Sequence, residues 1–268
     1  MKLTNDEKAA GLLPPERLNK AVQTFNDVGY VVVENVYDAV FLETMRTAYE
    51  RELARFIQSK GGLAALEGKT FGKNHIGFFP PLHLPLAHTQ LVAQPVAVQL
   101  MQALLGEDIQ CAFFHTNTAL PGSGIQPVHR DTGHLMGVAH PVATLVLNIP
   151  LCDFTIANGA TEVWPGTHSI LGGVLDDERA AAFPSVRTEI PVGSFILRDM
   201  RMWHRGMPND SDSPRTMYAI VYERGFIRTP VITVPRTTWE SWSDTAQHIF
   251  RHNQVVEDTE HTPRVWGG

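Results

Sequence analysis

The sequence has only two cysteines, Cys111 and Cys152, among its 268 residues. Both lie in apolar runs that are typical of β-strands, so we expect buried free thiols rather than a disulfide, as in a reducing cytoplasm. The chain also lacks an apolar run of about 18 residues, the minimum for a membrane-spanning helix. Its first residues contain no apolar stretch of the kind found in signal peptides. We therefore expect a cytoplasmic protein without a membrane partner.

Positive charge is also in short supply. Lys and Arg number 22 against 28 Asp and Glu, which gives a net charge of −6. This balance argues against nucleic acid as a partner, and no cluster of basic residues suggests a cradle for the phosphates of coenzyme A. We expect a small-molecule substrate instead. The oligomeric state stays open, a homodimer included.

The chain is long and apolar enough for one large domain, since 43% of its residues are hydrophobic. Residue patterns predict helices first and short strands afterwards. A single domain is expected over residues 1–268, mainly β, with a double-stranded β-helix (jelly-roll, cupin-like) core buttressed by N-terminal helices. The motif-bearing core covers about residues 108–225. The predicted helices are 14–27, 37–58, 92–105 and 238–252, and the predicted strands are 30–33, 109–118, 128–131, 143–149, 161–164, 186–190, 194–197, 201–204 and 216–222.

Residues 60–90 differ from the rest of the N-terminal half, because glycines and prolines interrupt them while aromatic residues and histidines remain. Long loops of this kind often carry function. Two interpretations stand side by side: a loop packed on the core, or a lid over a substrate site. The candidate substrate contacts in this segment are Phe71, Asn74, His75, Phe78 and Phe79. Its three histidines have no compact metal-ligand spacing.

His129 and Asp131 stand two residues apart. On a β-strand such residues point to the same face. An imidazole beside a carboxylate makes up two thirds of a 2-His-1-carboxylate iron site, which leaves one face of the metal open. His204, from a distant predicted strand, is the best candidate for the third ligand. Composition alone would produce about one His-x-acid triplet by chance, so the surrounding sequence has to carry the argument.

Three motifs occur in order around this triplet: residues 129–131, residues 158–169, and residues 203–206 followed by Arg215. Together with residues 25–36, they resemble the phytanoyl-CoA dioxygenase family of Fe(II)/2-oxoglutarate oxygenases, over roughly residues 15–225. The resemblance implies iron(II) held by His129, Asp131 and His204. It also implies that 2-oxoglutarate is gripped by Arg215 at its distal carboxylate and contacted by Gln126 and Thr161.

The implied reaction uses O2 to oxidise an unactivated C–H bond, by hydroxylation, desaturation or ring chemistry. Asp131 is present where halogenating relatives lack a carboxylate, so oxygenation is expected. The sequence around the motifs is similar to the branch of the family that acts on small natural products in secondary metabolism. Two alternatives remain: an acyl-CoA hydroxylase of the phytanoyl-CoA type, and a non-catalytic cupin-like protein that binds a metal or ligand.

Overall fold

A computed structural model describes residues 1–258 of the chain. Helices dominate its N-terminal part. The helix Pro15–Val28 begins with a first-turn proline and is ended by Gly29, with φ of 88°, as is usual for a left-handed C-terminal glycine. The helices are α1 (Asn5–Ala10), α2 (Pro15–Val28), α3 (Ala39–Ser59), α4 (Leu63–Leu66), α5 (Thr89–Val92), α6 (Pro95–Leu105), α7 (Asp177–Ala181), α8 (Arg236–Ser241) and α9 (Asp244–Ile249).

The strands form three sheets: a major one of six strands, a minor one of three and a pair of strands. They are β1 (Tyr30–Val33), β2 (His75–Phe78), β3 (Ile109–Ala119), β4 (Thr144–Pro150), β5 (Glu162–Val163), β6 (Val186–Arg187), β7 (Phe195–Asp199), β8 (His204–Arg205), β9 (Arg215–Arg224), β10 (Thr233–Pro235) and β11 (Gln254–Val256). The major sheet is antiparallel with strand order β1-β7-β4-β9-β3-β2. The minor sheet has the order β6-β5-β8, and β10 pairs with β11 in parallel.

The major sheet divides its residues between two faces. Along β9, Tyr218, Ile220 and Tyr222 belong to the main hydrophobic core, which also contains residues of α2, α3 and α6. Met217 and Ala219 point the other way, into a cavity that His204 of the minor sheet and the flanking Thr161 and Thr188 also line. This alternation follows from the two-residue period of a strand. Two antiparallel sheets around a cavity, with helices on the outer face, confirm the predicted fold class.

Residues 60–90 are more ordered than the sequence predicts. They contain α4, β2 and the start of α5, and β2 pairs with β3 through the full register from His75↔Ala119 to Phe78↔Thr116. Tertiary pairing decides this, because a four-residue strand with a glycine in it has little intrinsic preference for extended structure. The segment is therefore an edge of the major sheet joined to shorter connections.

Other element boundaries also differ from prediction. Residues 128–131 form no strand, and only an isolated bridge joins His129 to His204. The predicted strand 201–204 is largely a turn, and β8 begins at its last residue. The predicted helix 238–252 is two helices, because Trp242 is extended and Ser243 caps α9 by accepting a hydrogen bond from the Ala246 N–H.

Both cysteines are free, with Cys111 buried and Cys152 half-buried, so no disulfide forms between them. Within residues 1–258, no helix is both long enough and apolar enough to span a membrane.

Candidate metal centre

Backbone pairing brings His129 and His204 together. The His129 N–H donates to the His204 carbonyl at 3.0 Å, and the His204 N–H donates back to the His129 carbonyl at 2.9 Å. The Asp131 N–H donates to the Met200 carbonyl at 2.9 Å. An extended segment clamped at both ends on residues 200–204 therefore replaces the regular strand expected from the sequence. It still directs both candidate ligands to one side.

The turn between β7 and β8 contains the residues to which this segment is bonded. Asp199 is buried and accepts from the backbone N–H of Arg201 at 2.9 Å. The Arg201 guanidinium forms two further bonds to the same carboxylate, 2.9 and 2.6 Å long. A forked, charge-assisted pair of this kind is geometrically specific, so it sets the turn from which His204 enters the minor sheet.

The three side chains form one cluster. Their ligand atoms all lie within 4.8 Å of one another. Asp131 Oδ1 is 3.4 Å from His204 Nε2 and 3.8 Å from His129 Nε2. Adjacent ligands of a metal bound at about 2 Å are about 3 Å apart, so a small inward movement completes the site. Among residues 1–258, these three are the group of His, Cys and acidic side chains that could hold a metal ion.

The other ring nitrogen of each histidine faces a carbonyl. His129 Nδ1 is 3.0 Å from the Pro127 carbonyl oxygen, and His204 Nδ1 is 3.1 Å from that of Met202. We assign the proton to Nδ1 in both rings, because a carbonyl only accepts. Both Nε2 atoms then keep a lone pair directed into the cluster, the usual arrangement of metal-binding histidines.

Charge is arranged to keep the carboxylate ionised and His129 neutral. Burial alone would raise the pKa of Asp131, but the neighbouring His204 and Arg198 hold it well below its usual range. Burial lowers the pKa of His129 to about 4, with His204 adding to the effect. A charged carboxylate and a neutral imidazole are the protonation states that bind a metal.

The cluster opens into a cavity of about 820 Å³ between the two sheets. Several polar residues in its wall were not predicted from the sequence. His115 and Asn117 come from β3, Asn148 from β4, and Arg198 from β7. A sequence signal was available for some of them, because a run of polar residues, 115–118, ends the otherwise largely apolar β3, and Arg198 follows three apolar residues of β7. Burial lowers the pKa of His115 to about 4, so it is neutral near pH 7.

Arg215, the first residue of β9, lies in the same cavity and is 2% exposed. Its guanidinium packs 4.8 Å from the ring of Phe154. Within residues 1–258 no carboxylate lies at ion-pair distance from it, and its Nε has no hydrogen-bond partner. Burial lowers its pKa to about 10, so it remains charged near pH 7. A buried cation without an anion is costly, and an anionic ligand would remove this cost.

Gln126 and Thr161 also line the cavity. The Gln126 carbonyl oxygen accepts from the Gly206 N–H at 2.7 Å, and its amide donates to the Phe71 carbonyl. Gln126 thus joins the segment before β2 to the residues after β8, which leaves one amide hydrogen for a ligand. The backbone carbonyl of Thr161 accepts two bonds from Thr188, 2.8 and 2.9 Å long, which place this threonine on the cavity wall.

Of the five residues proposed from segment 60–90, Phe71 and His75 line the cavity. The Phe71 ring lies against that of His129. His75 is buried, with Nε2 2.7 Å from the Gly124 carbonyl oxygen, and burial lowers its pKa.

The prediction of substrate contacts is corrected for three residues that do not line the cavity: Phe78, Asn74 and Phe79. Phe78 faces the core and stacks on Tyr49 and Phe56 of α3, because it lies on the opposite face of β2 from His75. Asn74 has a φ of 57°, which asparagine tolerates, and is not among the residues lining the cavity. Phe79 is buried behind the cavity wall, edge-on to His115 with centroids 4.9 Å apart.

Two antiparallel sheets closed around a 2-His-1-carboxylate cluster define a double-stranded β-helix protein suited to one metal ion. The chain belongs to the phytanoyl-CoA dioxygenase family, whose model matches residues 25–217. The resemblance noted in the sequence is therefore confirmed.

Two fungal proteins are similar in sequence. The iron/alpha-ketoglutarate-dependent dioxygenase ausU of Aspergillus calidoustus is 30% identical over 106 residues, which cover 37% of this chain and 34% of ausU. Dioxygenase aneA of Aspergillus aculeatus is 24% identical over 247 residues, which cover 86% of this chain and 81% of aneA. The chain thus spans about a third of ausU and most of aneA.

Solved structures share the fold. The alpha ketoglutarate dependent carbocyclase SnoK from nogalamycin biosynthesis has a TM-score of 0.61 and 22% identity, covering 80% of this chain and 85% of SnoK. HygX from Streptomyces hygroscopicus, solved with nickel, 2-oxoglutarate and hygromycin B, has a TM-score of 0.62 and 14% identity, covering 83% of this chain and 91% of HygX. At these identities the similarity establishes the fold.

Proposed function

We propose that this protein is a non-haem iron(II)- and 2-oxoglutarate-dependent dioxygenase that oxidises a small natural product. One observation carries the proposal: a single cavity contains both the His129, Asp131 and His204 cluster and the buried, unpaired cation of Arg215. The first is a donor set for iron(II) with open positions, and the second is a receptor for a carboxylate.

The roles of the residues follow from their positions. His129, Asp131 and His204 would hold iron(II), with Nδ1 of both histidines tied to backbone carbonyls. When bound, iron(II) with 2-oxoglutarate and O2 supplies the oxidant for an unactivated C–H bond, and succinate and CO2 are the co-products. Arg215 would bind the distal carboxylate of 2-oxoglutarate as a fork. Gln126 and Thr161 would contact the same molecule from the cavity wall.

The substrate is bounded by the cavity. A volume of about 820 Å³ accommodates a small organic molecule together with 2-oxoglutarate. Four cationic side chains line it, and Asp131 is the only carboxylate among its lining residues in the described part of the chain. Because that carboxylate is assigned to the metal, a neutral or anionic substrate fits better than an amine. The lining cations are Lys69, Arg130, Arg198 and Arg215.

We further propose that residues 1–268 act as one catalytic unit in the cytoplasm. The unpaired state of Cys111 and Cys152 fits a reducing compartment. The natural-product assignment draws on the relatives, since SnoK is named for nogalamycin biosynthesis and HygX was solved with hygromycin B.

Succinate formation tests the proposal. Purified protein with Fe(II), ascorbate, O2 and 2-oxoglutarate should release succinate, faster in the presence of some members of a natural-product panel. Asp131→Ala and Arg215→Ala should abolish this release, whereas Arg46→Ala, which removes two exposed ion pairs on α3, should not. Iron binding without turnover on any compound would support the non-catalytic alternative. Stimulation by acyl-CoA thioesters alone would support the acyl-CoA hydroxylase.

A further inference from the structure

Arg198 follows the three apolar residues that begin β7, and it lines the cavity. Its Nη2 donates to Asp131 Oδ2 at 2.6 Å, and its Nη1 lies 3.2 Å from Nδ1 of His204. The Arg198 side chain is 8% exposed. One buried guanidinium therefore touches two of the three side chains assigned to the metal.

The two oxygens of Asp131 are used differently. Arg198 takes Oδ2, while Oδ1 is the oxygen that faces the imidazoles of His129 and His204, at 3.8 and 3.4 Å. A charge-assisted hydrogen bond at 2.6 Å restricts rotation of the carboxylate about its Cβ–Cγ bond. The carboxylate is thereby presented to the cluster through one oxygen.

We propose that Arg198 is a positioning residue that holds Asp131 as a single-oxygen metal ligand. The inference rests on the metal site of the proposed function. Arg198 acts on the metal through Asp131 and not through His204, since the proton that we assign to His204 Nδ1 faces the Met202 carbonyl and a guanidinium has no acceptor. Its close approach to that ring is packing.

The location of Arg198 explains why an arginine is needed. In the major sheet β7 lies between β1 and β4, and Arg198 is opposite Tyr30 on one side and Val146 on the other. Asp131 belongs to the segment that pairs with residues 200–204 beside the minor sheet. The Arg198–Asp131 bond therefore ties the metal cluster to β7 of the major sheet. Lysine would carry the charge but lacks the planar guanidinium, which packs against the His204 ring while it donates to Asp131.

A competing explanation assigns the pair a different effect. The guanidinium could simply neutralise Asp131 before the metal arrives, and it would then compete with the metal for the carboxylate. In that case removing Arg198 would tighten metal binding. The geometry favours positioning, because the oxygen that Arg198 occupies is not the one facing the imidazoles.

Binding of Co(II) alone, without 2-oxoglutarate, separates these effects. Titration calorimetry would be run on the wild type, Arg198→Met, Arg198→Lys, Asp131→Asn and the double variant Arg198→Met/Asp131→Asn, with thermal unfolding measured in parallel. Arg205→Met is the matched control, because it removes an equally short arginine–carboxylate bond, to Glu162, from the outer side of β8.

Arg198→Met should weaken Co(II) binding by about 10- to 100-fold, the usual effect of losing a partner of a metal ligand. Arg198→Lys should restore part of this loss, and Arg205→Met should bind Co(II) like the wild type. The double variant should bind no more weakly than Asp131→Asn, because Arg198 acts through that carboxylate.

Unchanged or tighter Co(II) binding by folded Arg198→Met would overturn the inference, as would a further loss in the double variant. If Arg198→Met does not fold, Arg198→Lys decides: binding equal to the wild type would then overturn it. A failure of the proposed function looks different, since wild type and Asp131→Asn would bind Co(II) equally weakly.

Discussion

The Phe71 ring stands edge-on to the imidazole of His129, with ring centroids 4.7 Å apart and planes at 77°. Phe71 is 55% exposed, and its backbone carbonyl accepts a hydrogen bond from the Gln126 amide. The segment before β2 therefore covers one metal-ligand candidate at the mouth of the cavity without being part of the core.

Phe71→Ala should affect substrate handling more than stability. Truncating a half-exposed ring removes little buried area, so the free energy of unfolding should change by about 0.5 kcal/mol or less. Co(II) binding should stay within about threefold of the wild type, because no ligand atom is lost. The half-saturating concentration of any compound that stimulates succinate release should rise. A loss of thermal stability without this rise would show that Phe71 only packs.

Phe78→Ala should behave in the opposite way. Its ring is buried between Tyr49 and Phe56, with centroids 5.6 and 4.7 Å away. Removing a buried phenylalanine costs about 3–5 kcal/mol through lost burial and the cavity left behind. Chemical denaturation measures the change directly. Full stability with altered substrate preference would return Phe78 to the substrate site.

Gln126→Ala should loosen the connection between the Phe71 segment and the residues after β8. The Gly206 N–H loses its acceptor, and a hydrogen bond contributes about 0.5–1.5 kcal/mol, so its amide should exchange roughly 2- to 12-fold faster. Hydrogen exchange read at Gly206 tests this. Gln99→Ala is the control. It removes a similar pair of hydrogen bonds, to the backbone of Leu13, and should leave Gly206 unaffected.

Arg215→Met should separate stability from ligand binding. Without ligand, the buried guanidinium has no acid partner, so its replacement should raise the free energy of unfolding by about 1 kcal/mol or more. Affinity for 2-oxoglutarate should fall by about 30- to 5,000-fold, equivalent to about 2–5 kcal/mol. Thermal shift with and without 2-oxoglutarate reports both. An unchanged shift on adding 2-oxoglutarate would mean that another residue anchors the carboxylate.

Acid should destabilise the fold through its buried histidines. Burial lowers the pKa of His115 to about 4, with Asp131 opposing the shift, whereas a histidine in the unfolded chain titrates near 6.5. Below about pH 6.5, His115 becomes protonated in the unfolded chain but stays neutral in the folded protein. The stability that comes from keeping His115 neutral is therefore complete above about pH 6.5 and is lost as the pH falls towards 4.

His115→Gln tests this dependence. Urea unfolding in EDTA should show a smaller loss of stability between pH 6.5 and 4.5 than in the wild type, by at most about 3 kcal/mol. The difference between the two proteins cancels the carboxylates that titrate in the same range. Parallel curves would show that His115 titrates normally in the folded protein.

The sequence by itself determined the fold class, the family and the residues that meet at the cluster. Residue types and their order along the chain are enough for this, because His129, Asp131, His204 and Arg215 are recognised by local motifs. His129 and Asp131 point to the same side, as predicted, but not because they lie on a strand. Residues 128–131 form no strand, and backbone hydrogen bonds to residues 200–204 orient them.

Only the tertiary structure decided what surrounds the cluster. Whether His75 or Phe78 meets the cavity depends on the pairing of β2 with β3, and a shift of one residue in that register would exchange the two faces. Arg198 meets Asp131, 67 residues away along the chain, because the segment that contains Asp131 is bonded to Met200, directly after β7. Local sequence patterns contain no information on such distant pairings, since the contacts are set by packing of the two sheets around their common cavity.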